Sequence, residues 1–149
     1  MSKFNGVKTN NAKVTAKEEI RNKAFNSLNE GHKCLEVFSG AGEMYEKVWH
    51  KCIEYKGIDI KKYFDKRDTI CGDAEKIIST LDVSEYNIFD IDSYGSPYTI
   101  LDIITKNTIT SNKIAFIITD GCAMDLRMGR VCKGLRELTG ITRHKIKKA

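Results

Sequence analysis

Residues 33–44, KCLEVFSGAGEM, decide how the rest of the chain is read. Cys34, Leu35, Val37 and Phe38 form a short apolar run between Gly31 and Gly40, which predicts a buried strand over KCLEVFS. Past Gly42 the period changes. Met44, Val48 and Cys52 recur every fourth residue and Tyr45 and Trp49 widen the stripe, as on one face of a helix. A strand, a turn with two glycines and a helix are how a parallel α/β unit begins.

The alternation continues outward in both directions. Upstream, Thr15-Ala16-Lys17-Glu18 has the form of a capping box, and Ile20, Ala24 and Leu28 with Phe25 form an apolar stripe. These predict a helix over about 15–29, preceded by a loose arm at 1–14. Downstream, YKGIDI, RDTICGD, YNIFDID and KIAFIITD read as strands, with helices at AEKIISTL and PYTILDIITKN between them. MDLRMGRVCKGLREL reads as one closing helix. No hairpin signal of the Asn-Gly kind interrupts the series. The expectation is an α/β domain over 15–149 with a Rossmann-like, doubly wound parallel sheet of about five strands.

Composition narrows the setting. At 149 residues the chain buries roughly two-thirds of its unfolded surface without a staple. Five cysteines, Cys34, Cys52, Cys71, Cys122 and Cys132, are an odd number without C-x-x-C spacing, and point to a reduced, cytoplasmic protein. Cys71, beside Gly72-Asp73, reads as a packing residue or a reactive thiol. No apolar run approaches the ~20 residues that span a bilayer, and no signal segment follows the start, so no membrane is expected. The net charge of +5 gathers toward RHKIKKA at the carboxyl end, which reads either as a solvated terminus or as a contact for nucleic-acid phosphates. His32, His50 and His144 are too scattered to suggest a metal, so none is expected.

In a parallel sheet, ligands bind beyond the carboxyl ends of the strands. Every strand here ends in glycine or carboxylate: Ser39-Gly40-Ala41-Gly42, Asp59, Gly72-Asp73, Asp90 to Pro97, and Thr119-Asp120-Gly121. Tyr45 stands where a dinucleotide fingerprint needs its third glycine, so a nicotinamide or flavin is disfavoured. Asp59, seventeen residues past Gly42, is placed to accept from ribose hydroxyls. Glu36, inside the first strand, is a carboxylate that burial penalises unless it is paired. A phosphate-free nucleoside carrying positive charge suits these acids, and S-adenosylmethionine is such a molecule. Asp73 then accepts from the adenine amino group, or caps the helix that follows.

Glu36-x-Phe38-x-Gly40-x-Gly42, with Asp59 and Gly72-Asp73, resembles the cofactor half of class I S-adenosylmethionine-dependent methyltransferases, over roughly residues 33–121. Phe38 takes a place often held by glycine, as in the D-x-F-x-G-x-G turn of nucleic-acid methyltransferases. More narrowly, DIDSYGSPYTILD at 90–102 looks like the D-x-D-P-Y-G-S-P turn of tRNA guanine dimethyltransferases, with Ser93 in place of the family proline.

The resemblance implies methyl transfer to an exocyclic base amine, in RNA more than in DNA. Asp92 accepts a hydrogen bond from the amine, Tyr94 stacks on the base, and Asp90 faces the cofactor's amino-acid end or stabilises the turn. Locally, Ser96 also reads as the cap of a helix beginning at Pro97. Relative to the full methyltransferase fold the sheet is expected to be truncated. Its uncovered flank implies a homo-oligomer or a partner protein. Two other readings stand beside this one: a different enzyme that uses or degrades S-adenosylmethionine, and a non-catalytic nucleotide-binding module.

Overall fold

Strand β1 (Lys33–Val37) is buried from Cys34 to Val37, as its apolar run requires. The computed structural model describes residues 14–107 and 113–141 and places β1 in the middle of a five-stranded sheet. Its other strands are β2 (Glu54–Asp59), β3 (Thr69–Cys71), β4 (Ile88–Asp92) and β5 (Ala115–Thr119). All pairings are parallel, in the order β3-β2-β1-β4-β5, so the architecture is α/β and Rossmann-like. The helices are α1 (Val14–Ser27), α2 (Glu43–Lys47), α3 (Ala74–Thr80), α4 (Tyr98–Asn107), α5 (Ala123–Arg127) and α6 (Lys133–Thr139).

Side chains alternate across each strand, so the two faces of the sheet have separate cores. On one face Leu35, Val37, Ile58, Phe89 and Ile91 pack against Ile78 of α3 and Ile100 and Ile104 of α4. On the other, Cys34, Tyr55, Ile88 and Ile117 pack against Leu28, just past the end of α1, and against Met44, Val48 and Trp49. Burying an Ile or Leu fully contributes about 1.5–3 kcal/mol, so either layer outweighs any single polar contact described below. No helix among the described residues is long and apolar enough to cross a membrane.

Three helices differ from the sequence reading. Helix α1 starts at Val14, so Thr15 is its second residue, and Val14 belongs to the helix rather than to an N-terminal arm; the rest of that arm lies outside the described residues. Its inward face keeps Ala24, Phe25 and Leu28 of the expected stripe but not Ile20, which is exposed, while Arg21 is 1% exposed. The face that packs runs through Val14, Arg21, Ala24, Phe25 and Leu28, with a cation at its centre. The helix after Gly42 ends at Lys47 because Val48 leaves helical geometry, and a 3-10 turn over Trp49–Lys51 follows. The closing helix divides into α5 and α6, because Gly129 adopts φ +69.

Candidate functional site

Strand order reverses between β1 and β4: from β1 the chain goes to β2 and β3 on one side, from β4 to β5 on the other. In sheets of this order the chain leaves two such neighbours in opposite directions, and the crevice beyond their carboxyl ends is the usual ligand position. It is framed by the turns over 38–42 and 93–97.

The first turn is contorted. Phe38 (φ +66), Gly40 (φ +51) and Gly42 (φ +87) are all left-handed. For Phe38, an aromatic with a Cβ, this is a strained state that the surrounding structure must hold, and such strain gathers at functional sites. The Phe38 and Ser39 amides both donate to Ile58 O, at 2.8 and 3.0 Å, and the Gly40 amide donates to Asp59 Oδ2 at 2.9 Å. Asp59 thus clamps the glycine turn from the end of β2, its other oxygen accepting from the Lys61 amide.

The two glycines serve different ends. A Cβ at Gly40 would meet nothing within 4 Å, so this backbone is open to an approaching ligand. A Cβ at Gly42 would sit 2.8 Å from Arg67 Cζ. Arg67, on the loop before β3, covers the turn: its guanidinium donates to Ser39 O (3.3 Å) and Gly40 O (2.9 Å) and is held by Asp65. Glycine at 42 thus admits a side chain of the protein itself.

Beneath the turn is a buried polar row. Glu36, 2% exposed, lies beside Gly57 on one neighbouring strand and Asp90 on the other. Because Gly57 has no side chain, Tyr55 Oη and Ser39 Oγ converge there, each within 3 Å of where a Cβ would stand. Tyr55 donates to Glu36 Oε2 at 2.5 Å. Burial, reinforced by the neighbouring Asp90 charge, pushes the Glu36 carboxyl up to about 8. Ser39 Oγ is buried without a hydrogen-bond partner among the described residues. An orphaned hydroxyl beside an ionisable buried acid is a place that a water, an ion or a polar ligand group would satisfy.

Asp90 is held inside the protein by a cation of α1. It is fully buried, and Arg21 of α1 grips it from Nε (2.6 Å) and Nη2 (2.8 Å) while Trp49 Nε1 donates at 2.9 Å. Burial pushes its carboxyl up, and the Arg21 charge and hydrogen bonds oppose this. The two-pronged geometry is that of an ionised pair. Asp90 therefore anchors α1. Asp92, at the strand end, accepts from Lys17 Nζ at 2.7 and 2.9 Å, with Arg21 Nη2 3.5 Å away.

Beyond Asp92 the second turn is closed by Ser93, whose Oγ accepts from the Gly95 amide at 3.1 Å where the resemblance would place a proline. Tyr94 stands 76% exposed beside it. Ser96 Oγ accepts from the Tyr98 amide at the start of α4, as its capping role predicts. Asp73 is the N-cap of α3, accepting from the Lys76 amide at 3.0 Å, and is exposed. Cys71 is an exposed free thiol, its Sγ 3.4 Å from Ile60 O. No three His, Cys, Asp or Glu side chains among the described residues gather as metal ligands.

The structure thus brings Glu36, Phe38, Gly40, Asp59, Asp92 and Tyr94 to one end of the sheet and leaves Asp73 capping a helix. Lys17, Arg21, Tyr55 and Arg67 were missed. The signal for the first two was present: a four-residue spacing puts them on one face of α1, and Asp90 and Asp92, two apart on a strand, face the same side and need cations. In comparisons with known proteins, the chain matches no family model and no curated protein.

Proposed function

We propose that the chain is an S-adenosylmethionine-dependent methyltransferase acting on an exocyclic amino group of a nucleic-acid base. The observation that carries the reading is the set of groups gathered where strand order reverses between β1 and β4. There the open Gly40 backbone, the orphaned Ser39 hydroxyl and the buried Glu36 lie on one side, and Asp92 with exposed Tyr94 on the other.

These residues fit the cofactor. Asp59 keeps lone pairs free for ribose hydroxyls after clamping the turn, and Glu36 and Ser39 offer an acid and a hydroxyl to an ammonium and carboxylate. When bound, the cofactor supplies an electrophilic methyl group on a sulfonium. The remaining work belongs to the protein. The lone pair of a base amine is delocalised into the ring, so alignment and charge must supply the rate. Asp92 accepts a hydrogen bond from the amine and takes up charge as the nitrogen becomes tetrahedral. Tyr94 offers its ring face to a base held out of its stack. Lys17 orients Asp92 through its two hydrogen bonds.

The same Lys17 contact favours a non-catalytic module, since it occupies Asp92, as does Ser93 in the place of the family proline. Transfer of labelled methyl from S-adenosylmethionine to RNA separates the two: turnover by the wild type that falls at least 100-fold in Asp92→Ala supports catalysis, and equal counts in both contradict it. The β5 edge exposes Phe116 (37%) and Ile118 (39%), and self-association along it completes the proposal.

A further inference from the structure

Residues 127–149 carry eight Lys and Arg against one acid, Glu137, so the remaining 126 residues are net negative. Four of these cations, Arg127, Arg130, Lys133 and Arg136, have a definite place in the fold. The turn after β5 packs on the second turn of the crevice: the Gly121 amide donates to Gly95 O at 3.0 Å, and a side chain at 121 would collide with the Tyr94 backbone. Cys132, at the start of α6, donates to Ser96 Oγ at 3.3 Å, and a Cβ at Gly134 would sit 2.9 Å from the Thr99 amide nitrogen. Helices α5 and α6 are therefore fastened directly to the turn that presents Tyr94.

Their outer surface is of mixed character. Arg127, Arg130, Lys133 and Arg136 are all exposed. Arg130 shares its charge with Asp125 at 3.0 Å and Lys133 lies 3.7 Å from Glu137, while Arg127 and Arg136 have no carboxylate partner among the described residues. Met124 and Met128, 63% and 56% exposed, give apolar side chains to solvent beside Arg127 and Arg130, and Tyr94, 76% exposed, stands on the turn whose backbone packs against Gly121. Cations with an aromatic and soft apolar groups, beside a crevice, match an unpaired nucleic-acid strand: phosphates for the arginines and base faces for the ring and thioethers.

We infer that α5 and α6 form the docking surface for single-stranded nucleic acid, leading a base to Tyr94. The inference rests on the methyltransferase reading for the base's destination, but its test does not use the cofactor. The anisotropy of labelled single-stranded RNA and DNA of one sequence is followed as full-length protein is added, at several salt concentrations. Arg127→Ala, Arg130→Ala and Arg136→Ala should each weaken binding and reduce the slope of log K against log salt by about 0.7. Tyr94→Ala should weaken binding about tenfold with the slope unchanged. Lys76→Ala, on α3, serves as the control and should alter neither. Binding of either strand in this pattern supports the surface, and the RNA-to-DNA ratio identifies the sugar. Slopes unmoved by the arginine variants, losses matched by Lys76→Ala, or no binding at low salt overturn it. So does arginine-dependent binding to anionic vesicles that Tyr94→Ala leaves intact while oligonucleotides fail. A protein that binds S-adenosylmethionine but no oligonucleotide sinks this inference and the nucleic-acid acceptor while leaving the cofactor reading; the converse sinks only the cofactor.

Discussion

At the residue scale, Glu36 links the fold to the chemistry. A carboxyl whose folded-state value is raised to about 8 binds its proton more tightly in the folded than in the unfolded chain. Its contribution to stability is therefore present at low pH and is lost as pH rises from the ordinary carboxylate range toward 8. Glu36→Gln should flatten that part of a urea-midpoint profile against pH. A cation bound beside Glu36 reverses the preference, so binding should release a proton near neutral pH. Titration calorimetry in buffers of different ionisation enthalpy measures this directly, and Glu36→Gln should abolish it. The two turn glycines should also behave differently. Gly42→Ala combines a positive φ with a clash against Arg67, and should cost about 2–3 kcal/mol, whereas Gly40→Ala carries only the backbone term of about 1 kcal/mol. Denaturant unfolding of both variants ranks them.

At the element scale, α1 is held to the sheet by Arg21 on Asp90 as well as by its apolar residues. Removing one member of a buried pair leaves the other charged and desolvated. Arg21→Ala should therefore cost about 3–5 kcal/mol in urea unfolding, while Arg21→Met with Asp90→Leu should recover much of that. This pair also shows what the sequence could disclose. The strands were legible because KCLEV and IFDID are apolar runs ending in turn residues, and their parallel order followed from the alternation. On α1 the periodicity finds Ala24, Phe25 and Leu28 but puts Ile20 where Arg21 sits, because the most buried position is a cation and hydrophobic periodicity is blind to a charge whose partner lies 69 residues away. The break at Gly129 was signalled only by one glycine inside a helical pattern. Asp59 and the Gly40 backbone could be placed at the crevice from spacing alone, since both follow strands directly. Arg67 could not, because it reaches the turn from a loop without periodicity.

At the scale of the whole molecule, one end of the sheet gathers acids and an open backbone, and the helices beside it gather positive charge. The opposite concern is the β5 edge, where Phe116 and Ile118 remain partly exposed. Light scattering at micromolar concentration should show a dimer that Ile118→Lys converts to monomer, since a charge on an edge strand opposes pairing. The central claim is that the crevice between β1 and β4 holds S-adenosylmethionine. Its most direct test is calorimetric titration of the purified protein with S-adenosylmethionine and S-adenosylhomocysteine, with Asp59→Ala alongside. Micromolar binding by the wild type that Asp59→Ala loses is the predicted result. No binding of either compound by a folded wild-type protein would contradict the account.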